Sequence, residues 1–565
     1  MSFFRFFRFS SGVVLLLGSI HACLAAEGNR LNHRDEFCDP YYVGRDFPKL
    51  TTPQWVGDEG VEAVVVLAID DMRDTAKYEA YLRPILERLK QIDGRAPVSI
   101  MTCNVDPADP RLQMWLKEGL SIECHTIDHP CPLLQGGDLA KAKSTYDRCV
   151  DLMNQVPGNK PVAFRMPCCD SLNTPSPRFW TEIFNQTTEN GNYLQIDTSV
   201  FNITTSKDKD LPRELVLDAD GQERFRKYLP FNSFVNTIED YPYPYIIGGT
   251  CWEFPCIVPS DWEAQNIQQP NNPKTVEDMK AALDAVVIKQ GTFNLVFHPH
   301  GWIRNDQIVE LIDHAVEKHG QKVKFLTFRE ALARLNENLF EGQSIRSEVG
   351  GPSKIALIDL NDDGYLDVHA WGVLVSGMFR NRIWDATSNG WRDERISTPA
   401  IEPNGRTGRS QRVEITHSFR GGLLHDVHGD GKLDAIQQSR NADGTPVVVV
   451  RSLDGSTIWS CPDTVVLWDS QRRDAGLRFI DVNEDGFDDI IFSNGERYSL
   501  HLWNDKEKAW SLKVIEGVRG QDGGLGPVIP MSVRADGTNN GAWFHSRSMW
   551  VQNEDTNRLP DLVDR

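Results

Sequence analysis

An α/β domain built on a parallel sheet or barrel, followed by an all-β repeat domain, is the fold class the sequence predicts. Residues 61–335 alternate β-branched apolar runs with amphipathic helical segments, the pattern of a parallel sheet flanked by helices. From about residue 350 the texture changes to short β-rich runs between recurring acidic loops, which marks a repeat architecture. At 565 residues the chain is also too long for one ordinary core.

The elements follow in order. Val64–Ile69 is a β-branched run that reads as a buried strand, and it ends in Asp70-Asp71. Tyr81, Leu82, Ile85, Leu86, Leu89 and Ile92 repeat at helical spacing, with Asp93-Gly94 as the stop. Thr275 to Asp278 reads as a capping box opening a helix that ends near Gly291. Phe293–Phe297 is a strand. Val309, Ile312, Ala315 and Val316 mark a helix face closed by Gly320, and Val323–Phe328 is a further strand. In β/α folds the reactive side chains gather at the C-terminal ends of the strands. Asp70, Asp71 and His298 are expected there.

Composition narrows the function classes. A formal net charge of −20 argues against nucleic acid and against anionic membrane surfaces as partners. Residues 1–26 read as a signal peptide. Arg5 and Arg8 precede the apolar run Gly12–Ile20, and Cys23-Leu24-Ala25-Ala26 supplies small residues for cleavage. Lipid attachment at Cys23 is the alternative. No other stretch approaches the roughly 20 apolar residues of a transmembrane helix. The expected location is secreted, periplasmic or cell-surface, with residues 27–60 as an N-terminal extension. Ten cysteines remain beyond Cys23, an even number that permits disulfides in an oxidising compartment. Cys251 and Cys256 are plausible partners. Cys168 and Cys169 are expected to pair elsewhere or to stay reduced. There is no C-x-x-C pair, so a structural cysteine–zinc site is not expected.

Asp70-Asp71 and the later His125-Thr126-Ile127-Asp128-His129 carry the chemistry. One carboxylate with two imidazoles four residues apart suits a catalytic divalent metal with an open position. The remaining aspartate is then a natural general base. Arg165-Met166-Pro167 and Phe297-His298-Pro299 follow in order. This series resembles the polysaccharide deacetylase family, carbohydrate esterase family 4, with motifs T-F-D-D-G, H-[ST]-x-x-H, R-x-P-[YF] and a later Leu-x-His. The resemblance spans about residues 61–335. It implies a distorted (β/α) barrel, set here at residues 61–340, and a divalent metal, with zinc the expected ion.

Carried over by motif, Asp71, His125 and His129 would hold the metal. Asp70 would take a proton from the attacking water, and Arg165 would orient Asp70. His298 would protonate the leaving amine, with His300 as a competitor for that role. The backbone N–H of Cys168, after Pro167, would help to stabilise the oxyanion. Asp197 sits where the family has an Asp-Ser pair. The sequence departs from the family at Ala68, Ile69, Met72 and Cys168, none of which is a ligand or an acid/base group. Trp252, Trp262 and Trp302 read either as a sugar-stacking wall or as core aromatics.

The acidic loops are Asp359–Asp367, Asp426–Asp434 and Asp481–Asp489, with a degenerate fourth at Asn553–Asp561. Their alternating oxygen ligands and central glycine suit calcium. The twelfth positions, Ala370, Gln437 and Phe492, lack the glutamate of a helix–loop–helix site. The loops resemble those of integrin-type FG-GAP repeats, which implies a propeller-like domain over residues 341–565. Calcium would then be held by Asp359, Asn361, Asp363 and Asp367, by Asp426, Asp430 and Asp434, and by Asp481, Asn483, Asp485 and Asp489. His428 departs from the pattern. Metal-free Asp-Gly turns are the alternative. Three or four such repeats are too few to close a usual propeller if each is one blade, so either the array is incomplete or the chain is part of a longer protein.

The expected function is hydrolysis of N-acetyl groups, or less readily O-acetyl groups, of a polysaccharide or oligosaccharide, with a cell-surface or cell-wall partner reached through the repeats. A non-catalytic glycan-binding surface protein and an amidohydrolase for a small non-sugar amide are the competing readings.

Overall fold

The computed structural model describes residues 29–30, 42–43 and 47–556, apart from 135–136, 169–175, 230–236, 349, 352, 354, 362, 371–379, 395–421, 428–433, 453–456, 472, 484 and 546–547. The expected signal peptide, Cys23, Cys169, His428, Asp430 and residues 557–561 of the fourth loop lie outside the described residues.

A curled, largely parallel sheet forms the α/β domain. Nine of its twelve strands form the curl around the site: β1 (Ala63–Met72), β2 (Val98–Thr102), β3 (Ser121–Cys124), β4 (Ala163–Phe164), β5 (Ile196–Asp197), β6 (Phe201–Ile203), β7 (Cys251–Glu253), β8 (Cys256–Ile257) and β9 (Thr292–Phe297). They lie in the order β7-β5-β4-β3-β2-β1-β9-β8-β6. The chain from Ile196 to Asn202 runs parallel to that from Trp252 to Ile257, through Ile196–Trp252 and Phe201–Cys256 pairs. The two ends of the curl therefore approach one another, giving a half-barrel.

β1 shows how the sequence builds this sheet. Side chains alternate across a strand, and both faces of β1 are buried. Val65, Leu67 and Ile69 pack under the helical layer with Leu82, Ile85 and Leu86. Val64, Val66 and Ala68 point to the other side and meet Trp252, Phe254 and Phe328. A continuous apolar run is the sequence that such a doubly covered strand requires.

The helices agree with the sequence in position more than in boundary. α1 (Thr75–Asp93) begins at Asp74, whose carboxylate accepts from the Ala76 and Lys77 N–H groups, and stops at Gly94 with φ 70°. α2 (Pro110–Glu118) and α3 (Leu139–Gln155) follow, and α4 (Asp261–Gln268) precedes α5 (Pro273–Lys289). The Thr275–Asp278 capping box is not the start of α5. Asn272 caps it by accepting from the Lys274 N–H at 2.9 Å, with Pro273 in the first turn, where its missing N–H has no cost. α6 (Asn305–His314) runs into a π-helical turn, Ala315–His319. The strand expected over Val323–Phe328 is confined to Val323–Phe325, because Thr327 and Glu330 form a capping box for α7 (Phe328–Arg334).

The cysteine expectation is corrected. Cys131 and Cys168 form a disulfide, and Cys251 and Cys256 are buried and are not bonded to one another. β7 carries Cys251 beside β5, while β8 carries Cys256 between β9 and β6, so the two thiols enter different parts of the sheet.

Beyond residue 340 the structure holds antiparallel sheets. Three have four strands each, beginning at Ile355, Gly422 and Leu477, and a two-stranded pair covers Ala542–Val551. In each four-stranded sheet the acidic loop joins the first two strands. Val465–Trp468 has an apolar sequence that suits a strand and is not one. Its Leu467 and Trp468 N–H groups donate to the Gln438 side-chain oxygen instead of to a neighbouring backbone. No helix among the described residues is long and apolar enough to cross a membrane.

Both ends of the β-rich region are fixed to the α/β domain. At the first sheet, Ile355, Leu357, Leu366 and Val368 pack with Trp55, Leu335 and Leu339. At the other end, Arg178 donates to both Glu554 oxygens at 2.5 and 2.6 Å, with both side chains almost fully buried. Glu554 also accepts from the Gly137 N–H through its backbone carbonyl at 2.7 Å. Removing one partner of a buried ion pair costs up to about 3–5 kcal/mol where the other charge is left unpaired, and here Arg534 Nη1, 3.1 Å from Glu554 Oε1, keeps the loss below that. Arg178→Met is therefore expected to lower the unfolding free energy by about 1–3 kcal/mol, read as a lower urea midpoint, and to open residues 538–556 to protease. An unchanged midpoint would show that the pair does not hold this end.

Candidate active site

The polar side chains gather at the C-terminal ends of the parallel strands. Asp70 and Asp71 close β1, His125 follows β3, Arg165 follows β4, Thr198 follows β5 and His298 follows β9. Asp70 continues the inward-facing series of Val66 and Ala68. It meets Arg165 there, with Nη1 at 2.7 Å from Asp70 Oδ1. Arg165 is fully buried. Its remaining donors go to the Thr198 carbonyl at 2.9 Å and to Thr198 Oγ1 and Asn294 Oδ1 at 3.1 Å each. Tyr78 donates its hydroxyl to the Asp70 carbonyl.

Asp71 breaks the strand alternation. Its φ is 69°, in the left-handed region that a non-glycine residue enters at a cost. Thr126, His129 and Cys168 share that conformation at φ 61°, 54° and 53°. Such residues cluster where the surroundings hold a site in a strained geometry. The disulfide from Cys131 to Cys168 ties the loop after His129 to the loop after Arg165-Met166-Pro167.

The strained turn brings Asp71 Oδ1 to 3.2 Å from His125 Nε2 and 2.7 Å from His129 Nε2. The three ligand atoms lie within 4.8 Å of one another. Asp71 Oδ1 is buried, yet it accepts no hydrogen bond of ordinary geometry. An orphaned carboxylate oxygen facing two imidazole nitrogens is a donor set that fits a divalent metal. His125 is oriented through its other nitrogen, Nδ1, at 2.8 Å from the Arg165 carbonyl, the outer contact that fixes a ligating imidazole. Burial opposes the charge on Asp71, but His125, His129 and His300 hold it well below the usual carboxylate range.

Two histidines follow β9 and have different partners. His298 is buried, and its Nδ1 lies 2.7 Å from Asp261 Oδ1. The His298 N–H donates to the other oxygen of Asp261 at 2.8 Å. Burial lowers the imidazole pKa, but the Asp261 carboxylate more than offsets this and raises it to about 9. His300 instead places Nε2 at 2.8 Å from Asp71 Oδ2 and Nδ1 at 3.1 Å from Lys77 Nζ. Trp302 packs against both rings, with centroids 4.8 and 4.9 Å away. Trp252 is fully buried and does not join Trp302 at the site, while Trp262 is half-buried and packs against the core. Asp197 is buried, with oxygens on Ser199 and the Trp180 N–H.

The sequence reading missed Asp261. It is the first residue of α4, follows the N-cap Ser260 and belongs to no short motif. The capping box of Ser260 and Glu263 marked the helix start without marking the aspartate inside it.

In the β-rich region the first and third loops repeat one pattern. Asp359 accepts from the Asp363 and Gly364 N–H groups, and Asp481 accepts from those of Asp485 and Gly486. Asn361 donates to Asp363, and Asn483 to Asp485. Gly364 and Gly486 have φ of 82° and 93°, which glycine adopts without strain. Asp367 and Asp489 each accept two backbone N–H groups. Burial and the neighbouring carboxylates nevertheless push their pKa values up to about 7 and about 8. In the second loop Asp434 accepts from the Val427 N–H, and Asp426 precedes it. Among the described residues no three of these loop carboxylates converge as Asp71, His125 and His129 do.

The family model described as polysaccharide deacetylase matches residues 57–175. That stretch contains Asp70, Asp71, His125, His129 and Arg165 and ends before Asp261 and His298. No curated protein matches the chain. Among solved structures, one described as a polysaccharide deacetylase of Mycobacterium smegmatis is similar at 14% identity and a TM-score of 0.31, covering 48% of this chain and 89% of its own. A peptidoglycan deacetylase of Bacillus subtilis is similar at 14% identity and a TM-score of 0.27, covering 50% and 95%. The catalytic domain of a peptidoglycan N-acetylglucosamine deacetylase of Eubacterium rectale is similar at 12% identity and a TM-score of 0.27, covering 48% and 90%. With the match over residues 57–175, the chain carries a polysaccharide deacetylase domain and is a hydrolase acting on carbon–nitrogen bonds other than peptide bonds.

Proposed function

We propose that this protein is a metal-dependent deacetylase that hydrolyses N-acetyl groups on an exported or cell-surface polysaccharide. The observation that carries this reading is the convergence of Asp71, His125 and His129 beside an Asp70 that is held by a buried Arg165. Asp71, His125 and His129 are the metal ligands in this reading, with zinc the ion their donor types favour. A divalent ion bound there supplies Lewis acidity at the acyl carbonyl and lowers the pKa of an attacking water.

The acid/base work falls to two residues of the chain. Arg165 occupies Asp70 Oδ1, which leaves Oδ2 to accept the proton of the attacking water. His298 has Nδ1 engaged by Asp261, so Nε2 is the nitrogen that gives a proton to the departing amine. A pKa of about 9 keeps this acid protonated at neutral pH. The Cys168 N–H is the proposed oxyanion donor. Its loop is positioned by the link to Cys131, and that disulfide also accords with the exported location. Trp302 offers an aromatic face for a sugar ring beside His298.

We also propose that the three acidic loops bind calcium and that the sheets around them are FG-GAP-type repeats of a propeller-like region. The repeated Asp359 and Asp481 turns and the uncompensated carboxylates at Asp367 and Asp489 support this reading. Chelating calcium is expected to lower the melting temperature of the full-length protein, and added calcium to restore it. A melting temperature that ignores both would leave the loops as plain Asp-Gly turns.

The catalytic reading is tested by acetate release from chitooligosaccharide and from peptidoglycan fragments. Asp70→Asn is expected to reduce the rate by about 10²–10⁴-fold, the usual weight of a general base, while the protein still retains metal through Asp71, His125 and His129. Activity that survives this substitution would remove Asp70 from the mechanism. Glycan binding without acetate release by the wild type would favour a non-catalytic surface protein.

The Asp261–His298 pair makes a separate prediction in pH. His298 must be protonated to act as the acid, so activity holds through neutral pH and falls as pH rises past about 9. Asp261→Asn removes the carboxylate that raises this pKa and leaves the burial that lowers it. The alkaline limb should then move down toward, or below, the ordinary histidine value of about 6.5. An alkaline limb that stays in place would assign it to another group.

A further inference from the structure

The helical layer contains a second group with the same donor types. Asp284 lies in α5 and is buried, while His314 ends α6 and His319 ends the π-helical turn after it. Asp284 Oδ1 is 2.9 Å from His314 Nε2 and 2.6 Å from His319 Nε2. The three candidate ligand atoms lie within 4.8 Å of one another. Lys318 Nζ lies 2.8 Å from the other oxygen, Asp284 Oδ2. None of these residues belongs to the site at the strand ends.

The backbone explains how the two histidines meet. In a regular α-helix, residues five apart differ by about 140° around the axis, so they face different ways. A π-helical turn takes in an extra residue and brings the fifth residue round onto the first. Such turns are rare and frequently mark functional sites. Here Ala315–His319 is that turn, and it places His314 and His319 over one carboxylate oxygen. Neutralising Asp284 would need only Lys318. Two further imidazoles are aimed by the same nitrogen at the same oxygen, as His125 and His129 are at Asp71, and here both also lie in hydrogen-bonding geometry with it.

We propose that Asp284, His314 and His319 form a second divalent-metal site, for a zinc-type ion, with Lys318 as a cation that competes for the carboxylate. One carboxylate with two imidazoles suits such an ion better than calcium or magnesium, which prefer all-oxygen sites. The bound ion would clip α5 to the end of α6. The chain leaves that clip directly into Val323–Phe325, the strand that pairs with the start of β1. The site is therefore structural in character, and its occupancy is separable from catalysis.

The test uses the full-length protein carrying His125→Ala and His129→Ala, with calcium in excess so that the acidic loops do not take up the added ion. Titration with zinc, and with cobalt(II) read by its visible absorption, is expected to show one remaining equivalent. Adding His314→Ala and His319→Ala should abolish it, together with the zinc-induced rise in melting temperature. Should that combined variant fail to fold, Lys318→Gln decides. Removing the competing cation should tighten zinc binding several-fold if the site binds metal, and leave it unchanged if the group is only an ion-pair network. Absence of bound zinc or cobalt in the His125→Ala/His129→Ala protein, both with Lys318 and with Lys318→Gln, would overturn the proposal.

Discussion

Where the ends of β1, β4, β5 and β9 meet, a guanidinium is buried completely. A charge taken out of water costs several kcal/mol unless its surroundings replace the lost hydration. Arg165 gets this replacement from one carboxylate, one carbonyl, one hydroxyl and one amide oxygen. They come from three places in the curled sheet: Asp70 in β1, Thr198 just after β5, and Asn294 in β9. Asn294 is itself held in place, donating to Thr198 Oγ1 and to the Phe254 carbonyl. The arginine thus sets the spacing of the strand ends, and that spacing decides where Asp70 can stand. A neutral residue at position 165 would lose more than one ion pair, because three polar groups around it would be left facing an apolar interior.

The same constraint separates two adjacent aspartates that have identical side chains. Asp70 keeps the strand alternation and goes inward to the guanidinium. Asp71 would then point into the helical layer with Ile69, among Leu82 and Ile85. Its positive φ turns it out toward His125 and His129 instead. The cost of that conformation, of order 1–3 kcal/mol, is sustained only where the surroundings leave no alternative. The Cys131–Cys168 link and the Arg165 carbonyl on His125 supply that rigidity. Strain and the proposed metal affinity are linked in this arrangement, since a relaxed Asp71 would no longer face the imidazoles.

The readable parts of this site are those encoded over a few residues. β1 is visible because both of its faces are covered, which demands an unbroken apolar run, and the reactive residues follow directly from where parallel strands end. His125 and His129 are visible for the same reason, being four residues apart on one loop. Asp261 was not visible because its partner is 37 residues away and its own neighbourhood reads only as a helix start. The Cys131–Cys168 pair was hidden similarly, since proximity in sequence favoured Cys251 and Cys256 and only the sheet order separates those two. Asp197 is a different case. Its position matched a motif, yet it is buried against Trp180 and Ser199, and burial pushes it up to about 6 while Glu253 beside it is raised well above the carboxylate range. At Val465–Trp468 the apolar pattern was right for a strand, but Gln438 offered the backbone another acceptor.

The β-rich region is tied to the rim of the site as well as to its base. Glu554 binds Arg178 through its side chain and Gly137 through its carbonyl. Gly137 closes the loop that begins at His129 and passes through Cys131. Arg178 stands in the first turn after the segment that leaves Cys168. One glutamate near the far end of the chain therefore touches both loops that the disulfide joins, and Glu182 adds a contact to the Asn539 N–H. The loop bearing a proposed metal ligand is thereby held from two sides, covalently at Cys131 and electrostatically at Gly137. Free energy that favours folding of the last sheet then also favours the ordered form of that loop. The region that follows residue 340 is thus coupled by packing to the end of the molecule that carries the candidate active site.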